Sequence, residues 1–105
     1  MFIAMNQFQV DPARGHEFED MWRSRETHLQ GLRGFLQFAL LKGDEPGDYV
    51  SHTTWRSRDD FLAWATSDAF RLAHSASTPE GVITGHPRAR FYEAVLVEPA
   101  AAPKP

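Results

Sequence analysis

Cysteine is missing altogether from this chain of 105 residues. Its absence excludes a disulfide scaffold, a thiol nucleophile, thiolate-ligated zinc and a cysteine-held iron–sulfur cluster, and it fits a reducing, cytoplasmic setting. Long apolar runs are missing too. None approaches the roughly 18 residues of a membrane-spanning helix, and the N-terminus has no basic segment leading into an apolar one, so no membrane partner is expected. Charge of one sign is not in excess: 11 Lys and Arg face 14 Asp and Glu, a net of −3, which leaves no basic footprint for nucleic acid. There is no glycine-rich phosphate loop, no G-x-S-x-G elbow, no H-E-x-x-H pair, no calcium loop, and no recognisable nicotinamide or flavin motif. The length fits one domain. A chain this short buries only about 60–65% of its unfolded surface, so a large pocket competes with its core.

What the sequence has in quantity is aromatic residues: eight Phe, three Trp and two Tyr, 12% of the chain. Their spacing predicts the elements. Phe2 to Val10 alternates as a strand, with Phe2, Ala4, Asn6, Phe8 and Val10 on one face and Ile3, Met5, Gln7 and Gln9 on the other. Asp11-Pro12 reads as an N-cap followed by proline at the first helical position. A helix is predicted to about Gln30 on the stripe Phe18, Met21, Trp22, Arg25 and Leu29, stopped by Gly31 and Gly34, with Arg25 interrupting its apolar face. Phe35 to Leu41 and Tyr49 to Trp55 read as a hairpin across a polar turn, with Leu36, Phe38 and Leu40 on one face of the first strand. Ser57 with Asp60 resembles a capping box ahead of a helix bearing Phe61 and Trp64, and Ser67-Asp68 starts a second short helix, Ala69 to about Ser75. After a loop from Ser77 to Pro87, Arg88 to Val97 alternates as the last strand.

The order β-α-β-β-α-β is the ferredoxin-like, split-βαβ arrangement: an α+β fold with an antiparallel sheet and helices on one face. Residues 1–98 form the predicted domain and 99–105 a disordered, low-complexity tail. The strands are apolar on both faces, so Ile3, Met5, Leu36, Phe38, Leu40, Tyr92 and Leu96 need cover. A homodimer joined sheet to sheet is the simplest way to supply it.

Residue chemistry alone leaves the site open. No two of the five histidines stand at i, i+4 on one helix, and the carboxylates fall on solvent faces. His74 follows Leu72 and Ala73 and lies one turn after Phe70, which suits either a hydrogen-bonded structural histidine or a ligand. Asn6 is out of place in an apolar strand face; its amide must bond a loop backbone or contact a ligand.

The pattern becomes specific when these positions are taken together. Asn6, Phe61-Leu62-Ala63-Trp64 with Ser67-Asp68, and Ala73-His74 ten residues beyond Trp64 resemble the IsdG-type haem-degrading monooxygenases of the wider antibiotic-biosynthesis-monooxygenase (ABM) group, which are dimeric α+β barrels. The likeness spans residues 1 to about 97, with Arg33-Gly34-Phe35 and Thr54-Trp55-Arg56-Ser57 also in place, and is closest in look to the rhizobial branch, the mycobacterial branch being near. The loop from Ser77 to Pro87 is shorter than in the staphylococcal type, which bears on how the pocket mouth closes.

The resemblance implies that Asn6, Trp64 and His74 are the catalytic set. His74 would ligate haem iron, Trp64 would press on the porphyrin, and Asn6 would supply a neutral donor. Trp22, Arg25, Phe61 and Phe70 would line the haem pocket, Arg25 orienting water or a propionate. It also implies haem as both substrate and cofactor, O2, and an external electron donor, either a reductase or a small reductant. Iron would be released for iron acquisition, with an open-chain tetrapyrrole such as biliverdin. Two other functions compete: a haem-binding or storage protein without turnover, and a cofactor-free ABM monooxygenase acting on an aromatic polyketide.

Overall fold

A computed structural model describes residues 1–75 and 78–101. The chain forms β1 (Phe2–Gln9), a 3-10 turn (Pro12–Arg14) running into α1 (Gly15–Ser24), β2 (Phe35–Lys42), β3 (Asp48–Trp55), α2 (Arg58–Ala65), α3 (Asp68–Ala73) and β4 (Arg88–Glu93). The strands make one antiparallel sheet in the order β2-β3-β1-β4, as the ferredoxin-like reading requires. Among the described residues, no helix is long and apolar enough to cross a membrane.

The helix starts follow the predicted capping chemistry. The Asp11 carboxylate accepts from the Ala13 N–H at 2.9 Å, Ser57 Oγ from the Asp60 N–H at 3.1 Å, and Ser67 Oγ from the Phe70 N–H at 3.2 Å. Each satisfies a backbone donor that the first helical turn leaves without a partner.

Three expectations change. First, α1 ends at Ser24 rather than near Gln30, and Arg25 is already extended. Leu29 is almost wholly buried beside Phe2, Trp55 and Trp64, away from the cluster that α1 serves. Six more helical residues would carry the chain about 9 Å straight along the axis, whereas Leu29 docks because the chain turns. His28 supports that turn in the left-handed region, at φ 57°.

Second, the alternation of β2 breaks at an irregularity between Phe35 and Gln37. Phe38 and Leu40 therefore pair with Thr53 and Ser51 and face the helices instead of the outer sheet face. Third, β4 stops at Glu93, and Val95 and Leu96 beyond it are 97% and 86% exposed. The Ala94 N–H still bonds the Met1 carbonyl at 2.9 Å, the last tie of this segment to the sheet. Of the expected tail, residues 102–105 lie outside the described residues.

The predicted loop before β4 is anchored where it is described; Ser77 itself lies outside the described residues. Val82 is fully buried, Ile83 bridges to Val10, and the Thr84 N–H bonds the Gln9 carbonyl at 2.8 Å.

Packing divides the helix-facing side into two clusters. Phe8, Val10, Phe18, Tyr49 and Val82 form one, under α1; Phe2, Leu29, Trp55 and Trp64 form the other, under α2 and α3. Between them the sheet carries small side chains, Ala4 opposite Thr53 and Asn6 opposite Ser51, with Ala89 on the other flank of Asn6. These cannot fill the gap between two aromatic clusters, and a cavity results.

Candidate active site

The cavity measures about 530 Å³, inside the roughly 300–1,000 Å³ of small-molecule sites. All seven residues singled out from the sequence line it: Asn6, Trp22, Arg25, Phe61, Trp64, Phe70 and His74. They come from four separate stretches of chain: β1, the end of α1, α2 and α3. Also in its walls are positions that sequence patterning passed over, chiefly Phe38, Phe91, Ser51, Thr53 and Thr78. Phe38 was hidden by the break in β2. Ser51, Thr53 and Phe91 become legible only through register, because each lies opposite Ala4 or Asn6 in the sheet, and Thr78 belongs to the loop before β4.

His74 closes α3 as its C-cap residue. Its backbone N–H and its ring Nδ1 both lie within bonding distance of the Phe70 carbonyl, at 3.0 and 2.8 Å. A carbonyl oxygen only accepts, so Nδ1 carries the proton, and in the neutral ring the lone pair belongs to Nε2. The imidazole also stacks on Phe70, with centroids 3.9 Å apart at 26°. The ring is thus held by a hydrogen bond and a stacked face while its second nitrogen is left for an acceptor or ligand role. His74 is exposed rather than half-buried.

Trp64 is fixed from several sides. It stacks on Trp55 at 5.3 Å and 28°, meets Phe70 edge-on at 4.9 Å and touches Phe61 at 6.0 Å. Its indole N–H is buried without a partner among the described residues. Leaving such a donor unmade costs about 1–3 kcal/mol, which the aromatic packing offsets. A flat molecule entering the cavity meets a wall that does not yield.

Arg25 sits where α1 gives way to extended chain. Its guanidinium lies 4.6 Å over the Trp22 ring and its Nη2 is 3.7 Å from Met21 Sδ. No carboxylate pairs with it among the described residues, and its Nε is buried without a partner. Loss of hydration lowers its pKa from the ordinary value. The site therefore holds a partly desolvated cation in an aromatic setting, an arrangement that favours an anionic group on whatever binds. Trp22 in turn stacks on Phe38 at 5.4 Å and 30°.

Asn6 is half-buried in the cavity floor, and its side chain makes no hydrogen bond among the described residues. Of its two expected fates, a bond to a loop backbone is not what the structure shows. No group of three His, Asp or Glu side chains that could hold a metal ion occurs among the described residues.

The sequence profile described as "antibiotic biosynthesis monooxygenase" matches residues 1–76. A "Heme-degrading monooxygenase" of Bacillus thuringiensis (strain Al Hakam) is 30% identical over 78 residues, 71% of this chain and 72% of that protein. The protein of the same name from Bacillus cereus (strain AH187) matches to the same extent. Among solved structures, the heme degrader MhuD of Mycobacterium tuberculosis, with two hemes bound in its active site, superposes with a TM-score of 0.76 at 29% identity, covering 94% of this chain and 100% of that one. SnoaB of Streptomyces nogalater, a cofactor-independent oxygenase, shares the fold with a TM-score of 0.68 at 22% identity, over 94% of this chain and 97% of its own. The Bacillus relatives and MhuD agree with the resemblance to haem-degrading enzymes, and SnoaB with the fold. With the profile over most of its length, and relatives 30% identical over more than two thirds of it, the chain belongs to the antibiotic biosynthesis monooxygenase family.

Proposed function

We propose that this protein is a haem-degrading monooxygenase. Haem would bind in the aromatic cavity through His74 and be oxidised by O2, with electrons from an external reductant, to an open-chain tetrapyrrole and free iron. The observation that carries this reading is the state of His74: Nδ1 is committed to the Phe70 carbonyl, which leaves Nε2 with the lone pair that iron requires. The donor set fits the group. One neutral imidazole, an aromatic-lined cavity of about 530 Å³ and a cation without a carboxylate partner suit a flat, apolar macrocycle bearing carboxylates. When bound, haem supplies the iron that activates O2 for attack on its own porphyrin ring.

The chain's residues have separable parts in this. His74 anchors the ligand at one point, with its tautomer held by the Phe70 carbonyl. Trp64, locked against Trp55, Phe61 and Phe70, would stand against the face of the macrocycle and favour its distortion, a lever on its electronics. Asn6 offers a neutral N–H from the floor, which stabilises developing negative charge without titrating near neutral pH. Arg25 meets a propionate or orients water. Trp22, Phe61 and Phe70 exclude bulk water from the reacting edge. A homodimer would cover the outer sheet face, and the activity would serve iron acquisition in the cytoplasm.

Titration of the protein with haemin tests the reading. A Soret band that His74→Ala abolishes supports it; a spectrum unchanged by that substitution overturns the ligand assignment. Ascorbate or a reductase in air should then bleach the Soret band and release chelatable iron, with mass analysis identifying the tetrapyrrole. Haem that stays intact under those conditions favours a carrier.

A further inference from the structure

The cavity floor carries a second polar side chain that the catalytic set leaves out. Strand register places Asn6 of β1 directly opposite Ser51 of β3 and, on its other flank, Ala89 of β4. Directly opposed side chains have Cβ atoms about 4.5–5.5 Å apart. One step along, Ala4 stands opposite Thr53 and Phe91, and the Thr53 hydroxyl is turned to the Ala4 carbonyl at 3.5 Å. Ser51 is half-buried, lines the cavity and makes no side-chain hydrogen bond among the described residues. Asn6 and Ser51 are thus an adjacent pair of polar groups with unused capacity, set among Ala4, Phe8, Phe38 and Ala89.

The two ends of an Asn side chain are nearly the same shape, and a half-turn exchanges a donor for an acceptor. Polar neighbours decide which end faces the cavity. On the sheet floor Ser51 is the neighbour able to do so, directly or through one bridging water. A flat ligand anchored at His74 retains rotation about that anchor, and an off-axis donor on the floor ends the freedom. We infer that Ser51 is a positioning residue: it orients the Asn6 amide, and the pair sets the rotational orientation of the bound tetrapyrrole and hence which ring edge is oxidised. The inference rests on the haem reading above.

The test uses the full chain with haemin and reads orientation apart from turnover. Proton NMR of the cyanide-ligated ferric complex resolves the haem methyl signals of each rotational orientation. In Ser51→Ala and Ser51→Val the ratio of orientations should change by about three- to tenfold, the effect of losing one neutral hydrogen bond. The ratio of tetrapyrrole isomers formed on turnover should move with it, while haemin affinity changes by less than about threefold. Ser51→Thr, which restores the hydroxyl, should return both ratios toward those of the parent. Haem methyl and isomer ratios that match the parent in Ala and Val variants with a normal Soret band overturn the role of Ser51 alone. A parent protein that gives no Soret band with haemin overturns the haem reading and this proposal together.

Discussion

Tyr49 shows how a polar side chain can be built into an apolar cluster. Its ring is buried against Phe18, and its hydroxyl donates to Glu19 at 2.5 Å, with the Lys42 ammonium 3.7 Å from the same carboxylate oxygen. Burial first, and then the bond to Glu19, push the Tyr49 pKa up to about 12, while the same hydrogen bond lowers that of Glu19. A tyrosine whose folded pKa is raised stabilises the fold fully below its unfolded value near 10 and loses that contribution as pH climbs towards 12. The Glu19 contribution runs the opposite way: present at neutral pH and lost as acid protonates the carboxylate. Tyr49→Phe should therefore flatten the alkaline limb of stability between about pH 10 and 12 and cost about 1.5–3 kcal/mol at neutral pH, read from urea unfolding across pH. Arg25 is the complementary case, a cation whose desolvation is not repaid by a carboxylate. Arg25→Met should leave thermal stability nearly unchanged, because the hydrocarbon stem still covers Trp22, yet weaken haemin binding by about tenfold. Arg25 was legible in the sequence as a break in an apolar stripe. The want of a partner carboxylate was not, since that depends on every chain segment that packs near it.

At the scale of elements, helix starts could be read and ends could not. Ser57 and Ser67 cap as their spacing predicts because capping is decided within four residues. The end of α1 is decided elsewhere, by the pull of Leu29 into the cluster around Trp55. The break in β2 is of the same kind: Phe35 packs on Trp55 and Phe38 on Trp22, both from the helix side, and strict alternation cannot deliver both. Gly34 closes the turn that leads into β2. It has φ +77°, and any Cβ there would collide with Asp60, so Gly34→Ala should be strongly destabilising. α3 has six residues and carries His74 at its end, so its cap bears on the site. Ser67→Ala removes the bond to the Phe70 N–H and the one Ser67 Oγ donates to the Trp64 carbonyl at 2.6 Å. A loss of about 1–2 kcal/mol is expected. Haemin affinity should fall with it although no contact to ligand is touched. A melting curve and a titration on the same sample measure the two effects.

For the whole molecule, the outstanding feature is the outer face of the sheet. Register gives it Ile3, Met5, Ala39, Leu41, Val50 and Tyr92, without a covering helix. Leu41 and Tyr92 are 44% and 46% exposed, and Phe38 and Leu40, expected on this face, are withdrawn to the other. The remaining patch is smaller than the sequence suggested, with His52, Thr54 and Arg90 set among its apolar side chains, and a sheet-to-sheet homodimer would cover it. Light scattering should give twice the chain mass, and Met5→Lys, at the centre of the face, should shift it towards the monomer. A monomeric parent protein would contradict the dimer.

The sequence by itself determined the element order and the helix caps, because local spacing and backbone chemistry decide those, while the cavity residues it offered came from the family resemblance and left out Phe38, Ser51 and Phe91. Only the tertiary structure decided that the cavity exists. It arises where small side chains on β1, β3 and β4 meet in register between two aromatic clusters, and register is a relation between strands distant in the chain. The free nitrogen of His74 is a local matter by contrast: the last turn of α3 brings the Phe70 carbonyl, four residues back, to Nδ1 and leaves Nε2 over, which the structure shows and the sequence pattern does not.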